Sequence, residues 1–469
     1  MTSAEAMTVR QKFLALLTLV IALVLEIVDL TIVNTALPAI KASIGADASA
    51  SQWIVAGYSL AFALLLMAGG RMGDSFGYRR LFLIGVAGFT VSSVLCGLAQ
   101  SGEQLVTARL LQGATGALMA PQSMALLQVL FDPLERVSKL ALFGVIGGLA
   151  SIAGPIIGGL LIKADLFGLG WRLVFLINVP VGILAMAMAR AYLPATRSDR
   201  HSGYDSPGMV LFGAAVAALL WPLIGAEGEQ ADPAAFLVLL ACPPLAWLGW
   251  RHVAARTRAG MPALFDPAIF AIPTYRLGLA MSVAFGAASA GFLLVFAFAL
   301  QAQRGQTPLV TGLLHMPFGF GAMFGIGVLS RKLLPALGKW LPLGGALLMA
   351  ASATLVLVAT ARPDWPLWTI APAMVAAGIG MGMTTGCIGP ITFAQMDRAH
   401  AGAASGLMKT CQQLGSALGV ALAGSAYFAW GQWLGVPPAE MAAAVIALIL
   451  LACAAFALRL PDGIFDSAH

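Results

Sequence analysis

FLALLTLVIALVLEIVDLTIVNTAL, residues 13–37, is a single apolar run broken by two acids, Glu26 and Asp29. A bilayer crossing needs roughly 20 mostly apolar residues, so this stretch reads as a membrane helix. Arg10 and Lys12 precede it, as in a secretory leader, but the run is too long and continues through Pro38 without a clear cleavage site. It is therefore expected to be retained as the first span.

Runs of the same kind follow at 52–70, 81–99, 105–128, 140–162, 172–191, 207–226, 234–250, 277–300, 309–330, 341–360, 366–392, 403–430 and 441–458. The pattern predicts an all-α polytopic membrane protein of fourteen spans. The run at 234–250 is short and carries Pro243 and Pro244; removing it together with 207–226 leaves a twelve-span alternative of the same parity. Composition agrees with lipid as the solvent. Hydrophobic residues make up 60% of the chain, charged residues 10%, and the mean hydropathy is +0.90. A soluble protein carries about a quarter charged residues. The 53 glycines suit helices that approach one another closely in lipid.

Charge orients the bundle. With an even number of spans, one end collects twenty of the 26 Lys and Arg residues, Lys409 counted among them. The other end holds only Lys41, Lys163, Arg172, Arg304 and Arg362, and Arg109 lies inside a span. The positive-inside rule then puts both termini in the cytoplasm of a bacterial (inner) membrane protein, with Asp47 and Glu229 outside. A polar linker at 192–206, with Arg197, Asp199, Arg200, His201 and Asp205, falls where two halves would be joined. The expected organisation is a six-helix bundle at 1–191, a linker with two additional helices at 192–270, and a second six-helix bundle at 271–469. The glycine-bearing basic stretch 327–339 loosely echoes 70–80, as parallel halves would.

Several functions are excluded. No polybasic run or metal-finger spacing supports a nucleic-acid partner. No phosphate-cradling GlyLysSer/Thr stretch, His-rich cluster or hydrolase motif is present, so neither an enzyme nor a cofactor or metal is expected. The five cysteines are far apart in or beside apolar runs and read as small buried residues.

Chemistry is expected where charge is embedded. A carboxylate at mid-bilayer costs roughly 2.5–3.5 kcal/mol and is kept only where it faces a partner or cavity. Burial and a nearby like charge both favour the protonated acid, so Asp29 and Glu26, one helical turn apart, are the candidates for proton coupling or cation recognition. Asp29 sits close in sequence to Thr31 and Asn34, which offer it hydrogen bonds. Arg109 cannot deprotonate and needs several acceptors; with Gln112 one turn on, it is read as a counter-ion or brace. Gly113 and Gly116 would let a helix pack against that turn. In the fifth span Gly154, Pro155, Gly158 and Gly159 form a packing and bending signal. Phe292, Phe296 and Phe298 are candidates to line a greasy cavity. The short loop 70–80 places Asp74 among Arg71, Arg79 and Arg80, with Gly70, Gly73 and Gly77 allowing tight turns; it reads as a latch at one mouth of the bundle.

These stretches resemble the major facilitator superfamily. GRMGDSFGYRR at 70–80 is similar to its loop signature between the second and third spans, and RLLQGATG at 109–116 to its fourth-span signature. ASIAGPIIGG at 150–159 resembles the fifth-span antiporter signature, with Ala150 where the pattern opens on Gly. VDLTIVNTALP at 28–38, WRLVFLINVPVG at 171–182 and AGAASGLMKTCQQLGSALGV at 401–420 resemble the fourteen-span drug:proton antiporter branch, with Lys409 and Gln412 where Asn and Arg are expected. The resemblance implies a major facilitator fold and proton-driven export of amphipathic, often cationic, small molecules by a monomer, with a periplasmic adaptor left open. Export of one metabolite, siderophore or antibiotic is the alternative, and nutrient symport a more distant one.

Overall fold

Very short connections dictate how the helices pack. The computed structural model describes residues 7–195, 205–225, 233–362, 364–395 and 401–462; at a few helical positions, Arg71 and Asp74 among them, only the backbone is described. The first group of helices is α1 Val9–Ile44, α2 Ala48–Phe76, α3 Tyr78–Leu98, α4 Gly102–Leu130, α5 Pro133–Ala164, α6 Leu173–Leu176 and α7 Asn178–Tyr192. Then come α8 Ser206–Gly225 and α9 Cys242–Arg258. The last group is α10 Pro273–Phe298, α11 Pro308–Phe324, α12 Arg331–Leu337, α13 Trp340–Thr360, α14 Ile370–Phe393, α15 Ala401–Ser425, α16 Gly431–Leu434 and α17 Pro438–Leu458. A single residue, Gly77, joins α2 to α3, which forces them to run antiparallel.

Among the described residues, eleven helices are long and apolar enough to cross a membrane. Three expected spans fall outside that set although they are helical: 105–128 (α4), 207–226 (α8) and 403–430 (α15). The reason is compositional. Arg109, Gln112 and Gln122 lower the hydropathy of α4, as Lys409, Gln412 and Gln413 do for α15, while α8 is described in full only as far as Pro222. Packing explains why α4 and α15 tolerate polar residues: α4 lies against α2 and α3, and α15 against α10 and α2, so neither needs an all-round apolar surface.

Both groups use glycine to bring backbones together in the same way. A Cβ on Gly113 of α4 would lie 2.2 Å from Tyr58 O of α2, and one on Gly69 of α2 2.3 Å from Ala117 O of α4. In the last group Gly378 of α14 would meet Phe318 O at 2.0 Å, and Gly321 of α11 Val375 O at 2.2 Å. Each pair of helices is locked by reciprocal small residues. The echo between 70–80 and 327–339 is geometric too: Gly77 (φ 90°) ends α2 and Gly338 (φ 49°) ends α12, each in a conformation that favours glycine.

Two expectations are corrected here. Residues 70–76 are not loop but the last turns of α2; only Gly77 is non-helical. Gly73 serves packing instead of turning, since a Cβ there would meet the Gln122 side chain. Lys409 does not belong to a loop at the basic end. It lies within α15, ~12 Å from the start of the helix at Ala401.

The first and last groups meet where α5 crosses α11 and where α2 meets α15. Helix α5 is continuous through Pro155, and its small residues serve two neighbours. Gly154 and Gly158 face Thr31 and Ile32 of α1, whereas Gly159 faces Leu309 of α11. Further contacts gather at the end of the bundle away from the termini, called distal here: Gln301 Nε2 donates to Thr35 O at 2.9 Å, and Lys41 Nζ lies 4.7 Å from the Phe428 ring centroid.

Candidate functional site

Asp29 is fully buried halfway along α1, and its carboxylate collects donors from two other helices. Oδ2 accepts from Arg109 Nη1 at 2.6 Å. Oδ1 accepts from Gln112 Nε2 at 2.8 Å and from Asn178 Nδ2 at 2.7 Å. Helix α4 supplies Arg109 and Gln112 from successive turns, and α7 supplies Asn178 at its first residue.

The network closes on itself. Gln112 Oε1 accepts a second Arg109 Nη1 hydrogen at 2.6 Å. Ser93 Oγ of α3 accepts from Gln112 at 2.8 Å and from Asn178 at 3.2 Å, and donates to Phe89 O at 2.9 Å. Arg109 Nε donates to Ile54 O of α2 at 3.0 Å, and the guanidinium lies 4.3 Å from the Tyr58 ring centroid. Arg109 Nη2 is buried with no hydrogen-bond partner among the described residues. Two charges are thus removed from water with both carboxylate oxygens satisfied, as a buried pair requires.

The sequence offered Arg109, with Gln112 one turn on, as a counter-ion or brace, and the structure sets both against Asp29, but Thr31 and Asn34 are not partners of this carboxylate. Thr31 Oγ1 donates to Ile27 O at 2.9 Å and Asn34 Nδ2 to Leu30 O at 3.2 Å, so both serve their own helix backbone. Asn178 and Ser93 were missed. The signal for Asn178 was its amide within the otherwise apolar run 172–191; Ser93 gave none.

Glu26 goes elsewhere. Three residues turn a helix by about 300°, which is 60° short of a full turn, and that is enough to aim Glu26 across to the last group of helices. Its Oε1 lies 3.5 Å from Lys409 Nζ of α15, and the ammonium sits 5.5 Å from the Phe62 ring centroid of α2. This pair joins the two groups at mid-depth, and the sequence reading did not foresee it.

The remaining candidates are dispersed. Arg79 Nη2 donates to Arg190 O, tying α3 to the end of α7, and Arg80 is exposed. Gly70 is only in ordinary contact with Pro121. The side chains of Arg71 and Asp74 lie outside the described residues, as do Arg197, Asp199, Arg200, His201 and Glu229. Phe292, Phe296 and Phe298 are buried in the core, with Phe292 stacked on Phe296 at 5.8 Å. Among the described residues no group of His, Cys, Asp and Glu is arranged to hold a metal.

A bundle of apolar helices in two similarly packed groups, with one enclosed and one half-open ion pair at mid-depth, defines a multi-pass membrane transporter. The chain belongs to the Major Facilitator Superfamily, whose sequence profile matches residues 19–420. It is 36% identical over 408 residues to a probable actinorhodin transporter of Streptomyces coelicolor, covering 86% of this chain and 70% of that one. It is 31% identical over 430 residues to the multidrug resistance protein Stp of Mycobacterium tuberculosis, covering 90% and 77%. Among solved structures, a bacterial homolog of the human lysosomal transporter Spinster superposes with a TM-score of 0.67 over 98% of both chains; at 18% identity this likeness shows the fold.

Proposed function

We propose that the chain is a proton-coupled antiporter that exports amphipathic small molecules across the bacterial cytoplasmic membrane. Relatives named as a probable actinorhodin transporter, a multidrug resistance protein, and a tetracenomycin C resistance and export protein support export. In this reading the chain crosses the membrane fourteen times with both termini cytoplasmic. The six-helix bundles at 1–191 and 271–469 flank two additional helices, and the chain works as a monomer.

The observation that carries proton coupling is the enclosed Asp29–Arg109 pair. A proton on Asp29 removes the counter-ion of Arg109, yet the guanidinium keeps Gln112 Oε1, Ile54 O and the Tyr58 ring. The network therefore has a second stable arrangement, in which α1 is held less tightly to α4 and α7. Helix α1 also carries Glu26 and Thr35, which touch the last group. Protonation at Asp29 thus bears on the element that links the two bundles, as coupling requires. Asp74 and its basic neighbours act as the latch at the cytoplasmic mouth.

Proteoliposomes with an imposed pH gradient test the reading, with proton flux measured against flux of a panel of amphipathic drugs. Wild-type protein should exchange protons for substrate, and Asp29→Asn should bind substrate yet no longer respond to the gradient. Stoichiometric coupling in Asp29→Asn would remove this carboxylate from the mechanism.

A further inference from the structure

The two embedded ion pairs differ in the features that separate a brace from a binding site. Asp29–Arg109 is closed: the side chains are 0% and 1% accessible, and both carboxylate oxygens are engaged. Glu26–Lys409 is open. Its charged atoms stand 3.5 Å apart, Glu26 is 11% accessible and Lys409 is 44% accessible. An ammonium carries three donors, and the contacts of this one among the described residues are Glu26 Oε1 and the Phe62 ring.

This openness is not that of a lipid-facing side chain. Lys409 reaches away from its own group of helices to α1 and α2 of the other. Gln413 and Ser416 follow one and two turns later on the same face of α15, within about 40° of Lys409 by helix geometry. Both are half-buried; Ser416 Oγ donates to Gln412 O of its own helix at 3.1 Å, which leaves the Gln413 amide as the further hydrogen-bonding group on this inner face of α15. Gly415 and Gly419, turned away from Lys409, pack against α10 at Val283 and Ala287.

We propose that Lys409 is the counter-ion for the transported molecule, so that the preferred substrates carry an acidic group, a carboxylate or acidic phenol, on an apolar frame. The proposal rests on the reading of the chain as an exporter of amphipathic molecules and names their charge. Accessibility decides the sign. A cation would have to reach Glu26, which is largely covered, and expel Lys409 from it. An acid meets the exposed ammonium and expels nothing. Gln413, half-buried one turn further along α15, offers a partner for polar substituents of the frame. A preference for cations, as the embedded acids suggest in the sequence alone, assumes a Glu26 without a basic partner.

The test uses the purified full chain and three probes on one frame: 3-hydroxy-2-naphthoate, its methyl ester, and 2-(aminomethyl)naphthalene. Binding is read as the concentration-dependent rise in melting temperature at neutral pH, and pH-gradient-driven transport is measured in parallel. The acid should bind best. Lys409→Met should weaken it on the order of tenfold or more, the scale of a hydrogen bond to a charged group, while Lys409→Arg retains it. Glu26→Gln should leave acid binding intact or tighten it. A preference for the amine that vanishes in Glu26→Gln would overturn the proposal, as would equal acid binding in Lys409→Met or no acid binding at all. Proton-driven export of ester or amine that persists in Lys409→Met would leave the exporter reading standing and sink this one. Lys409-dependent acid binding without gradient-driven transport of any probe would do the reverse.

Discussion

Glu26 and Asp29 are three residues apart on α1, yet their carboxylates bond to opposite groups of helices. Asp29 is held by Arg109, Gln112 and Asn178 of the first group, whereas Glu26 faces Lys409 of the last. One helix therefore carries an enclosed charge that fixes it within its own group and a half-open charge that reports on the other. A rigid-body movement between the groups would leave the Asp29 contacts intact and change the Glu26 contact.

Removing Arg109 should be far more damaging than removing both charges. Arg109→Met leaves a buried carboxylate without its cation, a loss of about 3–5 kcal/mol. The double variant Asp29→Asn with Arg109→Met relieves that burden. Its melting temperature should recover much of the way toward wild type, and a double-mutant cycle measured by thermal unfolding in detergent should give a strongly coupled pair. Additive effects would show that the two side chains do not act on each other.

Asn178 should matter to stability more than its single amide suggests. Asn178→Leu withdraws a donor from an ionised oxygen and leaves Ser93 one partner short, about 1.5–3 kcal/mol for the hydrogen bond to charge. Ser93→Ala loses only hydrogen bonds between neutral groups, as acceptor from Gln112 and Asn178 and as donor to Phe89 O, and should cost about 1 kcal/mol. The order of the two melting temperatures checks the assignment, and the reverse order would contradict it.

The legibility of this molecule in its sequence follows from which physics is local. A membrane helix announces itself by length and hydropathy, so each of the fourteen runs read from the sequence lies largely on helix among the described residues. That Arg109 needs an acidic partner or a brace was legible because a bilayer leaves each embedded charge few ways to be satisfied, but which of Glu26 and Asp29 it meets was not. Lys409 was not. Its count as an end charge assumed that a lysine near the start of an apolar run is solvated, and only the packing of α15 against α2 shows it reaching a carboxylate 383 positions away in the chain. Nor could the role of Gly73 be read: glycine serves turns and close packing alike, and which one holds depends on the Gln122 side chain of another helix.

The orientation proposed from the basic residues survives the transfer of Lys409 to the interior, because the remaining end charges still fall heavily on one side. A cysteine at Asp47 should react with a membrane-impermeant maleimide added to intact cells, and one at Asp462 only after permeabilisation. The background must first lose Cys242 and Cys411, the two native thiols that are not buried. Labelling at Asp462 in intact cells would invert the proposed topology.

The distal contact between α5 and α11 should govern whether that end can close. A Cβ on Gly312 would lie 2.4 Å from Pro155 O, and one on Gly159 2.6 Å from Leu309 Cα. Neither obstacle is a flexible side chain, so the helices themselves must part. Gly312→Ala should therefore hold the distal end apart, and transport, which needs both closed and open states, should fall on the order of tenfold or more. A cysteine at Ala39, half-buried near the distal end of α1, reads the separation. Its maleimide labelling should be several-fold faster in Gly312→Ala than in the parent, a population shift of about 1 kcal/mol or more. Gly406→Ala is the control: a Cβ there meets nothing within 4 Å, so labelling and transport should both stay as they are. If Ala39 labels at the parent rate in Gly312→Ala, the α5–α11 crossing is not what closes the distal end, and the Gln301–Thr35 and Lys41–Phe428 contacts become the ones to break.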